Sequence, residues 1–588
     1  MVVNVPPTLT ITLPATDTIV SRGWRVALAY VDDDPDDVAT TRLFADADGD
    51  VTTTNDQYPL SDARADQNGA PQELVSELTG LPEGEYQVIG VTADVRNAPR
   101  NARAPGKLIV SDVAWATHAR SRFFVGSVAT LVDGSSIVTG LFEDVATFAT
   151  GAPNQTTLTA AGSVDMFVAR YAVDGSFTWA KRAGGTGPDG GHGVAALADG
   201  SSVVTGSFEG TATFGEGEPN ETTLTAAGGE FDKDVFVARY APDGTLAWVK
   251  RAGGGRSFDS GYGIVLRPDQ AFMVVGAFNG DATFGPGEAN ETVLTSSRSI
   301  APDLFLARYA TDGSLDWVIS AGAGAGLTSK IVGLPDGAIV VLGDVFGSAT
   351  LGPGQQGETR LTAAGGEFDQ DVFVARFGAD GSLAWARRAG GESTDSGQGI
   401  AAFPDGSSVV TGSFWRTATF GEGDPNRTVL DADGDNDIFV ARYDATGSLT
   451  WARRAGGSAR SSDIKDEGRA IVAMADGSCV VTGGFSLGAV FGAGEPNQSV
   501  LYADGRSGQA NAFVARYAAD GSLGWAKRVG CPSGSTGSAI AGQADGSVIV
   551  SGTFIGTATF GPGEPRQTQL DENYFAAFVA RFNADGGF

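Results

Sequence analysis

The chain has 588 residues, 85 of them glycine, a formal charge of −30 and only two cysteines. Its 42% hydrophobic content is enough to fill a core, which excludes low-complexity disorder, and the acidic balance excludes nucleic acid, whose phosphates need a basic face. Two cysteines exclude a disulfide framework, and no apolar run reaches the ~18 residues of a membrane-spanning helix.

Residues 1–111 read as a first domain of short strands. Pro7-Thr-Leu-Thr-Ile-Thr-Leu-Pro14 alternates, as does Trp24-Arg-Val-Ala-Leu-Ala-Tyr30. Leu81-Pro-Glu-Gly-Glu-Tyr86 leads into a strand over Gln87–Thr92, Asn97–Gly106 reads as a loop, and Lys107-Leu-Ile-Val110 reads as the final strand. About seven short strands in roughly 110 residues predict a β-sandwich. A Pro-Pro opening strand, an Asp-rich region over Asp32–Asp37 and a Gly-x-Tyr strand together resemble bacterial immunoglobulin-like modules.

From residue 112 to 588 one pattern repeats. It is clearest at Phe236-Val-Ala-Arg-Tyr240, Asp243-Gly244, Trp248 and Gly253-Gly254, and it begins again at Phe167, Phe305, Phe373, Phe439, Phe513 and Phe578. Its tryptophans, 115, 179, 248, 317, 385, 451 and 525, stand about 70 residues apart. Each repeat divides into four strands, shown by Gly191–Leu197, Ser202–Phe208, Val235–Tyr240 and Leu246–Lys250, with Asp-Gly turns closing the first and second hairpins. Such a period predicts a seven-bladed β-propeller. The last copy stops at Asp585-Gly-Gly-Phe588, before its fourth strand, while an unpartnered fourth strand stands at Val113–Thr117. These two are expected to pair, Val113–Thr117 with Phe578–Phe582, and so close the ring.

Asp234-Val-Phe-Val-Ala-Arg239, Trp248 and Gly253-Gly254 resemble the bacterial propeller-repeat family known as SBBP, over residues 112–588. Arg stands where that family often has Lys, and the insertion between second and third strands is long. The resemblance implies a secreted or surface-associated bacterial protein and no particular chemistry.

The repeated Trp and Arg are expected to build the frame. Function is expected on the end that carries the long connections, fourth-to-first and second-to-third. Asp189, Asp259, Asp395 and Asp466 lie in the former. Three residues on stands a ring of unlike residues: Gly126, His192, Tyr262, Ser329, Gln398, Arg469 and Ser538. Trp415 breaks a turn that elsewhere holds Glu209, Asn279 or Gly347, and an exposed Trp stacks on a sugar face. These positions form the candidate site for a glycan or protein ligand. The insertion, Thr211 to Leu224 in one copy, reads as an extra hairpin turning at Pro219-Asn220, and the Asn-x-Thr triplets at Asn154, Asn220, Asn290 and Asn426 recur with it.

Calcium is the cofactor the sequence points to. Asp46, Asp48 and Asp50 alternate in one acidic stretch, and Asp431, Asp433, Asp435 and Asp437 in another, a hard-oxygen arrangement without the Glu that completes an EF-hand. His118 and His192 are the only histidines, too few for a multi-histidine zinc site. Cys479 and Cys531 are expected to lie too far apart to bond. The expected function is a non-catalytic extracellular binding or scaffold module. The rivals are a polysaccharide lyase or hydrolase with His192 or Tyr262 as base and Arg469 against a uronate, and a subunit of a surface or phage-tail-like assembly.

Overall fold

The structure is a computed structural model. It describes residues 115–588 except 121, 256–257, 298–301, 326–328, 458–465, 505–508 and 565, and before them little beyond the strands. Every regular element among the described residues is a β-strand. The chain divides into two compact bodies, Met1–Val113 and Ala114–Phe588.

In the first body, Leu9–Ile11, Arg25–Asp32 and Gln72–Glu77 form one sheet. Thr18–Val20, Arg100–Val110, Gly84–Ala93, Thr40–Asp46 and Gln57–Pro59 form a second, with Arg64–Ala65 at its side. The expected loop Asn97–Gly106 is largely strand. Its Pro105 is absorbed by a bulge: Gln87 faces Lys107 and Ile89 already faces Arg103. Trp24, Asp48 and Asp50 lie outside the described residues, and Asp46 ends a strand.

In the second body each repeat is a four-stranded antiparallel meander. Repeat 2 is Gly190–Ala196, Ser202–Glu209, Lys233–Tyr240 and Leu246–Gly253, paired in that order. The seven first strands are Phe123–Thr130, Gly190–Ala196, Ser260–Leu266, Ser329–Gly333, Ser396–Ala402, Glu467–Ala473 and Ser535–Gly542. Each packs against the next, and the last packs against the first, so they form a closed cycle. Apolar clusters fill the space between successive sheets; one joins Val203, Val235 and Val237 of repeat 2 to Phe272, Phe278 and Phe305 of repeat 3.

The last sheet is completed from the start of the second body. Ala116–Arg120 pairs with Thr568–Phe582, Ala116 opposite Ala580 and Arg120 opposite Ala576, and the Arg581 N–H donates to the Trp115 carbonyl at 2.7 Å. Ala116 and Thr117 of the expected segment thus pair with Ala580 and Val579, Val113 and Ala114 lie outside the described residues, and the strand runs on to Arg120. Its extension is held by Glu572, which faces both His118 at 3.5 Å and Arg120 at 3.2 Å.

The repeated residues join neighbours. The Trp179 ring lies against the turn glycine Gly244 of the next repeat, and its indole N–H donates to the Pro242 carbonyl at 3.0 Å. Trp115 does the same across the closure, onto Gly175 and the Val173 carbonyl. Arg239 pairs with Asp199, the turn aspartate of its own repeat, at 2.6 Å and donates to the Thr311 carbonyl of the next.

The insertion hairpins make a second tie. Thr211–Phe214 and Thr222–Thr225 pair with each other, and the first of them extends the sheet of the preceding repeat, Phe214 opposite Ala183 of repeat 1. The same step recurs at Phe284 on Ala252 and Leu351 on Gly322, and at Phe148 on Ala119 of the closing strand. The turn asparagines are consumed in this frame. Asn220 donates to the Leu246 carbonyl at 3.1 Å and Asn290 to the Leu315 carbonyl at 3.0 Å.

Candidate functional site

The ring of unlike residues has a structural cause. In six repeats the first strand carries a β-bulge, and the bulged residue is Gly126, His192, Tyr262, Gln398, Arg469 or Ser538. A bulge leaves one residue unpaired and re-aims its side chain. All six line one cavity of about 140 Å³, enclosed by the cycle of first strands. Repeat 4 differs. Ser329 pairs normally with Gly343, and the residue that reaches the cavity is Lys330.

Several of these side chains are held by the frame. His192 Nδ1 lies 3.1 Å from the Gly261 carbonyl and 3.2 Å from Ser260 Oγ, and its ring stands 6.0 Å from that of Tyr262. The carbonyl accepts from Nδ1–H, which leaves Nε2 as the bare nitrogen. Burial pushes the His192 pKa down to about 4, so the ring is neutral at pH 7. Burial raises that of Tyr262, the reverse of what a catalytic base needs. Arg469 is tied to Glu467 two residues before it on its own strand, Nε to Oε1 at 2.9 Å. Gln398 donates to Ser396 Oγ at 3.2 Å.

The four loop aspartates do not join this ring. Asp189, Asp259, Asp395 and Asp466 are buried, and each uses both oxygens on backbone N–H groups. Asp189 takes those of Gly185 and Glu209, and Asp259 those of Gly254 and Asn279. Asp395 takes those of Gly391 and Trp415, and Asp466 those of Gly457 and Ser486. They brace the fourth-to-first connection to the second-to-third one, and the ligand role expected for them is corrected on that ground.

Of the acidic stretch from Asp431 to Asp437, the Asp435 side chain lies outside the described residues, and Asp431 and Asp437 are engaged within the frame. The stretch lies within the strand Thr428–Tyr443 instead of a loop. Asp431 accepts from Thr417 at 3.1 Å, and Asp437 is buried against Arg454 at 3.0 Å and the Asp433 N–H at 2.9 Å. Asp437 is one copy of a recurring buried carboxylate, with Asp165, Asp234 and Asp371. Among the described residues no three His, Cys, Asp or Glu side chains are grouped to hold a metal ion. Cys479 and Cys531 are both buried free thiols.

Trp415 stands in a different hollow. It is half-buried and lines an open pocket of about 420 Å³ with Gly365, Phe368, Asp369, Glu392, Thr394 and Arg416. Two connections of repeat 4 and the bulge in the Ser408–Phe420 strand of repeat 5 meet there. Phe368 is 86% exposed, and Phe231, its counterpart in repeat 2, is 82% exposed. Arg416 has φ +61°, in the left-handed region where the sister turns hold Gly210, Gly280 and Gly347 but also Asp144 and Leu487, so the strain recurs beyond this pocket, and the repeat-4 counterpart of Trp415 is Phe346 instead of Gly347. A side chain there costs about 1 kcal/mol that glycine avoids. Phe368 and Lys330 were missed in the sequence. The first could be read from the shared Gly-Gly-Glu-Phe-Asp loops, and the second from the small residues that fill its position elsewhere.

An all-β repeat fold of this kind is consistent with the comparisons. No family model matches the chain. It is 21% identical over 384 residues to an uncharacterized WD repeat-containing protein of Acanthamoeba polyphaga mimivirus, a match that covers 56% of this chain and 27% of that protein. Among solved structures, fibronectin(III)-like modules of Clostridium thermocellum CbhA share 12% identity at a TM-score of 0.17, covering 42% of this chain and 91% of theirs. A DUF4784 family protein from Bacteroides caccae shares 10% at 0.16, covering 65% and 95%. Neither score carries an argument about fold. The chain is thus an all-β repeat protein with a distant WD-repeat relative.

Proposed function

We propose that residues 112–588 are a seven-bladed β-propeller of the SBBP type, preceded by an immunoglobulin-like sandwich, and that the chain is a non-catalytic binding module at a bacterial surface. Its ligand is a glycan, held on the end of the blades with the long connections. The cycle of seven first strands and the distant WD-repeat relative support the propeller. One observation carries the function: Phe368 and Trp415 flank a pocket whose other polar groups include Glu392 and Arg416. Aromatic faces offer apolar area to the C–H side of a pyranose, and a carboxylate and a guanidinium serve its hydroxyls. Calcium belongs to this reading only through the acidic stretch near Asp46.

A glycan array probed with the full chain, with and without EDTA, is the test. Binding weakened severalfold in the variants Trp415→Ala and Phe368→Ala supports the reading, and loss on chelation adds calcium to it. A blank array overturns the glycan, and binding that neither variant weakens overturns the pocket.

A further inference from the structure

Lys330 is out of pattern. Pairing aligns it, opposite Leu342, with Ser127, Gly193, Gly263, Gly399, Ala470 and Ala539 in the other repeats. Those are small because the first strands crowd each other. A Cβ on Gly193 would lie 3.1 Å from the Cα of Gly263, and one on Gly399 2.9 Å from that of Ala470. Only repeat 4 puts a long side chain there, and it is a cation. Arg469, the other cation of the cavity, has its carboxylate in Glu467. Among the described residues no carboxylate lies within ion-pair distance of Lys330, and His192 and Tyr262 beside the cavity are neutral at pH 7. Burial alone lowers the Lys330 pKa, with no compensating charge. In a chain of net charge −30, a partly buried ammonium with no carboxylate partner on the wall of an open cavity is a feature that an anion would relieve.

We propose that this cavity seats one carboxylate on the Lys330 ammonium, with Gln398, Arg469 and Ser538 as further donors within reach of the same space. Its volume of about 140 Å³ admits a carboxylate together with its waters. The occupant is either a small free organic acid or the acidic group of a uronate. This seat stands apart from the Trp415 pocket and does not depend on it.

The test is protection of Lys330 from an amine-acetylating reagent at pH 7.5. The full chain is treated alone and with malonate, glucuronate or glucose, and each lysine is followed by peptide mass spectrometry. Calorimetric titration with the same three compounds runs in parallel on the wild type and on Lys330→Ser, a residue repeat 1 already accommodates at Ser127. Malonate, glucuronate or both should slow acetylation of Lys330 at least fivefold, leave Lys181, Lys250 and Lys527 unchanged, and give a heat that Lys330→Ser loses. Glucose should do neither. Malonate alone identifies a free acid as the source, and glucuronate a sugar. The proposal is overturned if no carboxylate protects Lys330 and none gives a heat, or if the heat persists in Lys330→Ser. Glycan binding that survives Lys330→Ser leaves the aromatic pocket standing whatever happens here.

Discussion

Ring closure can be locked covalently. Arg581 N–H bonds to the Trp115 carbonyl, which makes 115 and 581 a hydrogen-bonded pair. The next pair, Ala116 and Ala580, is therefore of the close, non-bonded kind, with Cα atoms about 4.5 Å apart, inside the range a disulfide spans. The double variant A116C/A580C should oxidise without rearrangement. The native thiols will not compete, because Cys479 and Cys531 are buried and burial raises the pKa of both, that of Cys479 to about 12. The loop closed runs from 116 to 580, which the chain-entropy relation converts to an upper bound of roughly 6 kcal/mol; native strain reduces what is realised. Mass spectrometry should locate the 116–580 bond, and the oxidised form should melt above its reduced form. A bond that forms only after denaturation, or an oxidised form that melts no higher, would refute the pairing.

Gly521 has φ +84° and a Cβ there would sit 2.7 Å from the Trp451 ring, whereas Gly494 of the same repeat has φ +80° and open space. Gly494→Ala should cost about 1 kcal/mol from the backbone alone and Gly521→Ala clearly more; equal losses by denaturant titration would remove the Trp–turn contact from the account. Trp415→Ala should weaken any glycan found on the array by about 1 kcal/mol, roughly fivefold, with the melting temperature held, and a collapse in stability would make Trp415 a packing residue instead.

The frame was legible because it is repetitive. Phe-Val-Ala-Arg, the Asp-Gly turns and the tryptophans placed the four strands of every repeat, and the missing last strand pointed to its replacement near Trp115. The ring of His192, Tyr262, Gln398 and Arg469 was legible by spacing alone. Its physical basis, a bulge, was not, since pairing partners are not visible within one strand. The same spacing chose Ser329 in repeat 4, where the bulge is absent and Lys330 takes the place. The insertion hairpins were recognised as hairpins, but nothing local to Thr211–Leu224 says that the neighbouring sheet receives them. The loop aspartates looked like ligands because they are acidic and lie in loops. Their oxygens are spent on backbone N–H groups supplied by a connection some twenty residues away.

Those aspartates come in pairs with the recurrent carboxylate that opens the third strand: Asp165 with Asp189, Asp234 with Asp259, Asp371 with Asp395 and Asp437 with Asp466. Gly390 lies between one such pair, its missing Cβ 2.7 Å from Asp395 Oδ2 and close to Asp371 Oδ1. The Oδ1 atoms of Asp165, Asp234, Asp371 and Asp437 are buried with no hydrogen-bond partner. Repeat 6 explains what they need. There Asn511 replaces the aspartate, and its Nδ2 donates to the Cys531 carbonyl at 2.7 Å. An oxygen in that position makes a comparable bond only if it carries a proton. Burial, partly offset by hydrogen bonds, raises Asp371 to about 6 and Asp395 to about 8. Both lie above the ~3.9 of an unfolded aspartate, so between about pH 4 and pH 8 the folded state holds protons that the unfolded state has released. Stability therefore rises as pH falls through that window, by about 1.4 kcal/mol per pH unit for each retained proton. Turn aspartates such as Asp380, Asp405 and Asp520, held low by the hydroxyl of a nearby Ser, act oppositely, and their contribution is lost below about pH 4. The melting temperature should thus climb from pH 8 to pH 5 and fall again below pH 4. Asp371→Asn installs the amide of repeat 6, leaves Arg388 its second partner Glu422, and removes the charge that helps to raise Asp395. It should flatten the climb and be least harmful at pH 8; melting curves that stay parallel to the wild type from pH 5 to pH 8 would show that the pair traps no proton.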